Sequence, residues 1–438
     1  MGQEDCEKWT AAAHLQPAIS KSDRLLVIYN DDGSAMRFKP SPFIGVSFAM
    51  IVGVMGAALI SPLYAIYKEA WQLQASDISL IYVVYMTGAL CSLLFLGRLP
   101  DRAGFLPVMK VGMILNLIGT LISSLAWEMT GLIVGRFCVG VASSLLTTSA
   151  IMGLAKLSRP GQLQRAAMLT GCLLAFGFGL GPLLGGIMGQ WAPYPLVTTY
   201  IPTLVLGAWG YVVLSRQKMP ATAQSARQSP LRAQDLLPKL TWPGRVDSET
   251  FVLTCALSFL AYGVFGLFTA MAPLFLEKLL PWHGPMVSGT SIAVILFASA
   301  VLQVMAGRIP VHLCGFAGLL GLALSMAFLM INLWAGSAVL FALSVLLTAT
   351  GHGLSMLAGM NMVNRLATEH NRSGLLSTYF VIGYVGCMLP MMAMGWIADR
   401  WGMRVAVCCF CATVIVLGAL AGVLFLRHPR MRAAGRWR

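Results

Sequence analysis

The chain has 438 residues, of which 58% are hydrophobic and 11% charged, with a mean hydropathy of +0.77. Soluble domains carry roughly 45–50% apolar and about 25% charged residues, so a soluble fold is excluded; the sequence predicts an all-α membrane protein, because helices satisfy their own backbone in lipid. The formal charge of +14 raises nucleic acid as a partner, so where the basic residues lie decides what the charge is for.

Residues 1–41 are polar and predict a soluble tail with no secretory signal. Within it, composition predicts no fixed structure; the apolar run at 25–29 followed by the turn signal Asn30-Asp31-Asp32-Gly33 gives a strand fragment as the alternative. Met36 offers an alternative start to the chain. Twelve apolar runs follow, near 43–67, 77–97, 107–126, 130–154, 165–189, 196–214, 251–276, 286–306, 311–331, 335–361, 373–397 and 403–426. Each is close to the roughly 20 residues needed to cross a hydrocarbon core. A polar, proline-bearing stretch at 217–250 divides them into six plus six, giving a bundle at 42–216, a linker, a bundle at 251–427 and a basic tail at 428–438. Nine of the ten cysteines fall in apolar runs, where cysteine acts as a small hydrophobe, so no metal is expected.

Between the second and third runs lies Gly97-Arg98-Leu99-Pro100-Asp101-Arg102-Ala103-Gly104. Its glycines permit a tight turn, Pro100 cannot continue the incoming helix, and a carboxylate is favoured near a helix N-terminus. The stretch resembles the G-x-x-x-D-R-x-G loop of the major facilitator superfamily, with Gly97, Asp101, Arg102 and Gly104 on the motif and Phe105 and Leu106 where the family has further basic residues. The resemblance implies a cytoplasmic gating loop.

The two halves repeat. Ser61-Pro62-Leu63-Tyr64 is matched by Ala272-Pro273-Leu274-Phe275, and Gly97-Arg98-Leu99-Pro100 by Gly307-Arg308-Ile309-Pro310, at nearly one offset. The second copy lacks the acid, since Val311-His312-Leu313-Cys314-Gly315 follows it. Parallel six-helix repeats of this kind are what the facilitator fold shows, so the expected architecture is two six-helix bundles related by a pseudo-twofold axis.

With the N-terminus inside, 25 of the 30 Lys and Arg fall in cytoplasmic segments, four fall outside, and Arg136 lies within a span. That bias explains the net charge without nucleic acid and predicts an inner, cytoplasmic membrane location with both termini cytoplasmic. Anionic lipid is the natural partner of Arg427, Arg430, Arg432, Arg436 and Arg438. A second G-x-x-x-D-R-x-G, from Gly395 to Gly402, then lies on the outer side and reads as a tight helix–helix turn.

Three constellations point to transport. Arg136 is a charge inside a span, which by default suggests function. With Gly140 it resembles the family's fourth-helix R-x-x-x-G, which implies cavity lining and help with proton transfer or an anionic group; a structural arginine on a carbonyl is the alternative. The fifth run carries Gly177, Gly181, Pro182, Gly185 and Gly186, which fit the g-x-x-x-G-P-x-x-G-G of proton-driven exporters; close helix packing is the alternative. The first run has no acid, so the deepest titratable candidate is His352, with Asn361 nearby and Asp101 at the gate; a hydrogen-bonded core histidine is the commoner reading of such a residue. Tyr64, Tyr82, Tyr85, Asn116, Tyr262, Gln303, Tyr379 and Tyr384 are candidates to line an amphiphilic cavity or to pack the core.

Together these readings predict a monomeric, proton-coupled exporter of small apolar or amphiphilic molecules. It would use the proton gradient and no cofactor, and it would not be an enzyme. A metabolite uptake carrier of the same fold is the first alternative, and an intramembrane lipid-modifying enzyme or a non-transporting receptor the remote ones.

Overall fold

In a computed structural model the described residues are 28–29, 35–36, 41–158, 163–217, 237–238, 240–279, 284–368 and 371–433. The first 41 residues form a unit of their own. There Ile28–Tyr29 pairs antiparallel with Ala35–Met36, Ile28 opposite Met36, so the strand reading is met at 28–29; residues 25–27 lie outside the described residues.

Among the described residues, the remainder holds twelve helices of membrane-crossing length and apolarity: α1 Pro42–Ala70, α2 Ala75–Leu96, α3 Phe105–Ser124, α4 Met129–Leu157, α5 Ala167–Trp191, α6 Pro195–Arg216, α7 Arg245–Leu276, α8 Pro285–Arg308, α9 Val311–Ala335, α10 Ala338–Leu366, α11 Arg372–Trp401 and α12 Met403–Arg427. An even number of spans puts both termini on one side, here termed the tail side, opposite the far side. Two boundaries differ from expectation by more than four residues. Helix α7 begins at Arg245 and not at 251, because Asp247 in its first turn suits the positive end of a helix although it lowers local hydropathy. Helix α10 runs to Leu366, which places Asn361 and Asn364 inside it. Of the predicted linker, residues 218–236 and Lys239 lie outside the described residues.

The repeated prolines leave matching scars. Proline lacks an N–H, and its ring clashes with the carbonyl four residues back. Before Pro62 the regular helix of α1 stops at Ala58 and resumes through a 3₁₀ turn, Ser61–Leu63. Before Pro273 helix α7 widens into a π-turn, Leu267–Met271. The helix pairings repeat as well: α3 packs on α4 as α9 on α10, α2 on α4 as α8 on α10, and α1 on α5 as α7 on α11. Between bundles, α2 meets α11 and α8 meets α5. Exchanging the halves maps one seam onto the other, which is the signature of a twofold relation.

The apolar core shows how the seams are closed. One cluster joins the C-terminal bundle to the far-side half of the N-terminal bundle, through Ile60, Leu63 and Tyr67 of α1 and Leu267, Phe268 and Met271 of α7. The tail-side half of the N-terminal bundle has a separate cluster around Met50, Met109, Leu146 and Leu154. The two bundles therefore share one core on the far side and keep distinct cores on the tail side.

Candidate functional site

Arg136 is 3% exposed, so its side chain does not snorkel to the surface. Helix α4 carries it into the N-terminal bundle, where Nη1 donates to the Ala57 carbonyl at 2.9 Å. The guanidinium lies 4.4 Å from the ring centre of Tyr85 on α2. The structural reading, a carbonyl partner, is thus met, and an aromatic face is added to it. Tyr85 is fixed in turn, its hydroxyl 3.3 Å from Ser143 Oγ. On the far side of this group Tyr67 and Tyr200 hydroxyls meet at 2.8 Å. A carbonyl dipole and a π face are both favourable partners for a delocalised cation. The close approach of α2 and α4 depends on Gly140: an added Cβ there would collide with the Tyr85 carbonyl and sit 3.0 Å from the Ala89 nitrogen.

The glycines of α5 divide between two neighbours. Gly177, Gly181 and Gly185 face α1, where added Cβ atoms would meet the carbonyls of Ile51, Met55 and Leu59. Gly186 faces α8 of the other bundle, and its Cβ would lie 2.7 Å from the Pro285 carbonyl oxygen and 3.1 Å from Met286 Cα. Deeper along that seam Phe176 and Phe297 stack with centroids 5.6 Å apart. Pro182 sits inside the helix. The motif packs helices closely within the bundle and between bundles, and its last glycine belongs to the contact between bundles.

His352 lies in the C-terminal bundle, half-buried, with Nδ1 2.9 Å from Ser299 Oγ on α8. Gln303 Nε2 donates to the same hydroxyl at 3.3 Å, and the Phe265 ring of α7 lies 5.6 Å from the imidazole. Three helices thus converge on one titratable side chain. Tyr262 and Tyr384 pack nearby in sequence on α7 and α11, centroids 5.8 Å apart. Asn361 is half-buried two turns beyond His352. Tyr379 does not join them: it is 1% exposed and packs with Phe251, Val363 and Leu375 in a cluster of its own. At the α2–α11 seam, Tyr82 Oη lies 2.9 Å from Cys387 Sγ and accepts from Thr269 at 3.1 Å.

The loop after α2 is more ordered than a plain turn. Leu99–Ala103 forms one helical turn holding Asp101 and Arg102, and Gly104, at φ +86°, ends it and opens α3. The G-x-x-x-D-R-x-G stretch at 395–402 behaves alike at its last position, since Gly402 has φ +87° and opens α12. Only glycine adopts that conformation without strain. The structure thus gathers Arg136 with Tyr85 in one bundle and His352 with Ser299 in the other. Ser299 and Phe265 were missed by the sequence reading, since a serine and a phenylalanine in an apolar run carry no signal until a neighbour is known.

Comparison with known proteins bears on the fold and the family. Tetracenomycin C resistance and export protein of Streptomyces glaucescens is 30% identical over 161 residues, 36% of this chain and 29% of that one. Quinolone resistance protein NorA of Staphylococcus aureus is 23% identical over 219 residues, 48% of this chain and 53% of that one. The chain thus spans at most about half the length of these curated relatives. A POT family transporter solved in complex with 5-aminolevulinic acid superposes with a TM-score of 0.73 at 14% identity, covering 89% of this chain and 96% of that one. The model of the Major Facilitator Superfamily matches residues 46–313, more than half of the sequence, and the chain, a multi-pass membrane protein, belongs to that superfamily.

Proposed function

We propose that this protein is a secondary active transporter that exports small apolar or amphiphilic molecules in exchange for protons, by alternating access. The observation that carries the reading is the divided core: the bundles are fused by apolar packing on the far side and separately packed on the tail side. Two rigid bodies joined in this way have a second arrangement available, in which the seams exchange roles. Export is favoured by the α5 glycine motif and by relatives named for resistance and export. The distribution of Lys and Arg favours a tail side in the cytoplasm, and the reading takes the membrane to be a bacterial-type inner membrane. The site holds small molecules between Arg136 with Tyr85 and His352 with Gln303; the imidazole exchanges the proton, and Asp101 with Arg102 biases the tail-side gate towards closure. No cofactor is needed, the proton gradient being the energy source, and the transporter works as a monomer among anionic lipids.

The test is flux in proteoliposomes of inside-out orientation, acid inside, with a fluorescent amphiphile outside. Accumulation that collapses with the pH gradient is expected, and Asp101→Asn slows it while insertion into the membrane is unchanged. Gradient-independent flux, or accumulation by intact cells in place of expulsion, overturns proton-driven export, the latter in favour of uptake.

A further inference from the structure

A tight turn at residues 395–402 accounts for Gly402 but not for Asp399. Its carboxylate reaches out of its own bundle: Oδ1 accepts the Ala75 N–H at 2.8 Å and Oδ2 accepts the Ser76 N–H at 3.1 Å. These are the first two N–H groups of α2, and such groups have no partner within their own helix. Helix α2 supplies the rest of its own cap through a reciprocal pair, in which Asp77 Oδ2 accepts the Gln74 N–H at 2.9 Å and the Gln74 side chain accepts the N–H of Asp77. The cap of a helix in one bundle is therefore completed by an acid of the other.

The approach is built for this contact. Gly395, one turn before Asp399, lets α11 press on α2: a Cβ added there would collide with Ser79 Oγ and lie 2.8 Å from Ser76 Cα and 3.0 Å from the Ala75 carbonyl. Ser79 turns its hydroxyl away, onto the Ala75 carbonyl at 3.0 Å. The adjacent cation does not neutralise Asp399, because Arg400 lies over the Trp396 ring, 4.7 Å from its centre. A negative charge at the positive end of a helix is favourable, and most so where the donors are otherwise orphaned.

We propose that Asp399 is a far-side latch, a positioning residue whose carboxylate holds α2 to α11 while the far side is shut and releases Ala75 and Ser76 when it opens. This rests on the alternation of the two seams described under the proposed function, not on what is transported. The two G-x-x-x-D-R-x-G stretches then serve opposite sides of the membrane, the acid of each acting at its own gate.

Hydrogen–deuterium exchange of the full chain in nanodiscs tests it. Asp399→Ala should raise exchange about tenfold at residues 75–78, and by a comparable factor at residues 286–289 of the α5–α8 seam, which Asp399 does not touch. Asp399→Asn should give a smaller rise at both seams, and Asp399→Glu should restore protection. A rise confined to 75–78 makes Asp399 a local cap and overturns the latch, as does no rise at all. A rise that includes the α3–α4 contact marks a misfolded variant, and Asp399→Asn then decides by the same two-seam comparison. Exchange is read without any transported compound, so a two-seam response with no flux in proteoliposomes would sink the transport reading and leave the latch standing.

Discussion

Gly186→Ala separates packing that holds a bundle together from packing that holds the two bundles against each other. The new Cβ would lie 2.7 Å from the Pro285 carbonyl oxygen across the seam. A carbon and a carbonyl oxygen rest at about 3.3–3.6 Å, so the seam must widen by roughly 0.6 Å or more at that point, against a backbone atom that cannot rotate away. Overpacking of this kind costs about 1–3 kcal/mol. The seam is an equilibrium contact, so that energy shifts the closed-to-open ratio by roughly 5- to 150-fold and leaves each bundle intact. Gly177→Ala is the matched control on the same helix. Its Cβ would lie 2.8 Å from the Ile51 carbonyl, inside its own bundle. The gain in helix propensity, about 1 kcal/mol, is common to both and drops out of the comparison. Gly186→Ala should raise hydrogen exchange at residues 286–289 and leave the melting temperature of the detergent-solubilised protein nearly unchanged. Gly177→Ala should lower the melting temperature by several degrees and leave the seam protected. Equal melting shifts with no difference at the seam would refute the division into rigid bundles and a moving interface.

Arg136→Ala removes a charged hydrogen bond worth about 1.5–3 kcal/mol and a cation–π contact worth about 0.5–2 kcal/mol. Flux should fall at least roughly tenfold and the melting temperature should drop; Arg136→Lys should recover little, because an ammonium cannot lie flat on Tyr85. Wild-type flux in Arg136→Lys would show that charge alone suffices. His352→Gln keeps a hydrogen-bonding group for Ser299 but cannot carry a proton at neutral pH. Flux driven by a pH gradient should be lost while substrate counterflow continues, and equal loss of both would remove its coupling role. Asp247→Asn breaks the exposed pair with Arg430, 2.5 Å long. Exposed pairs contribute about 0–1 kcal/mol, so its thermal melting curve should overlay the wild-type curve to within a few degrees.

The number of crossings, the six-plus-six division and the duplication were legible in the sequence because each is written in local chemistry. Apolar length reports a span, and Pro62 and Pro273 carry the same instruction to their own helices. The boundaries of α7 and α10 were misjudged, because charged residues at a helix end are compatible with a membrane surface, and hydropathy alone cannot tell a helix end from a loop. Arg136 announced itself as a buried charge, yet its partner, the Ala57 carbonyl, is a backbone atom that no sequence pattern marks. The stripe of glycines on α5 was visible, but which of them faces α1 and which faces α8 depends on the rotation of the helix in the fold. Asp399 shows the limit most plainly. Sequence order makes it the end of α11, 324 positions from Ala75, and only the closing of one bundle on the other brings its carboxylate to the two N–H groups that need it.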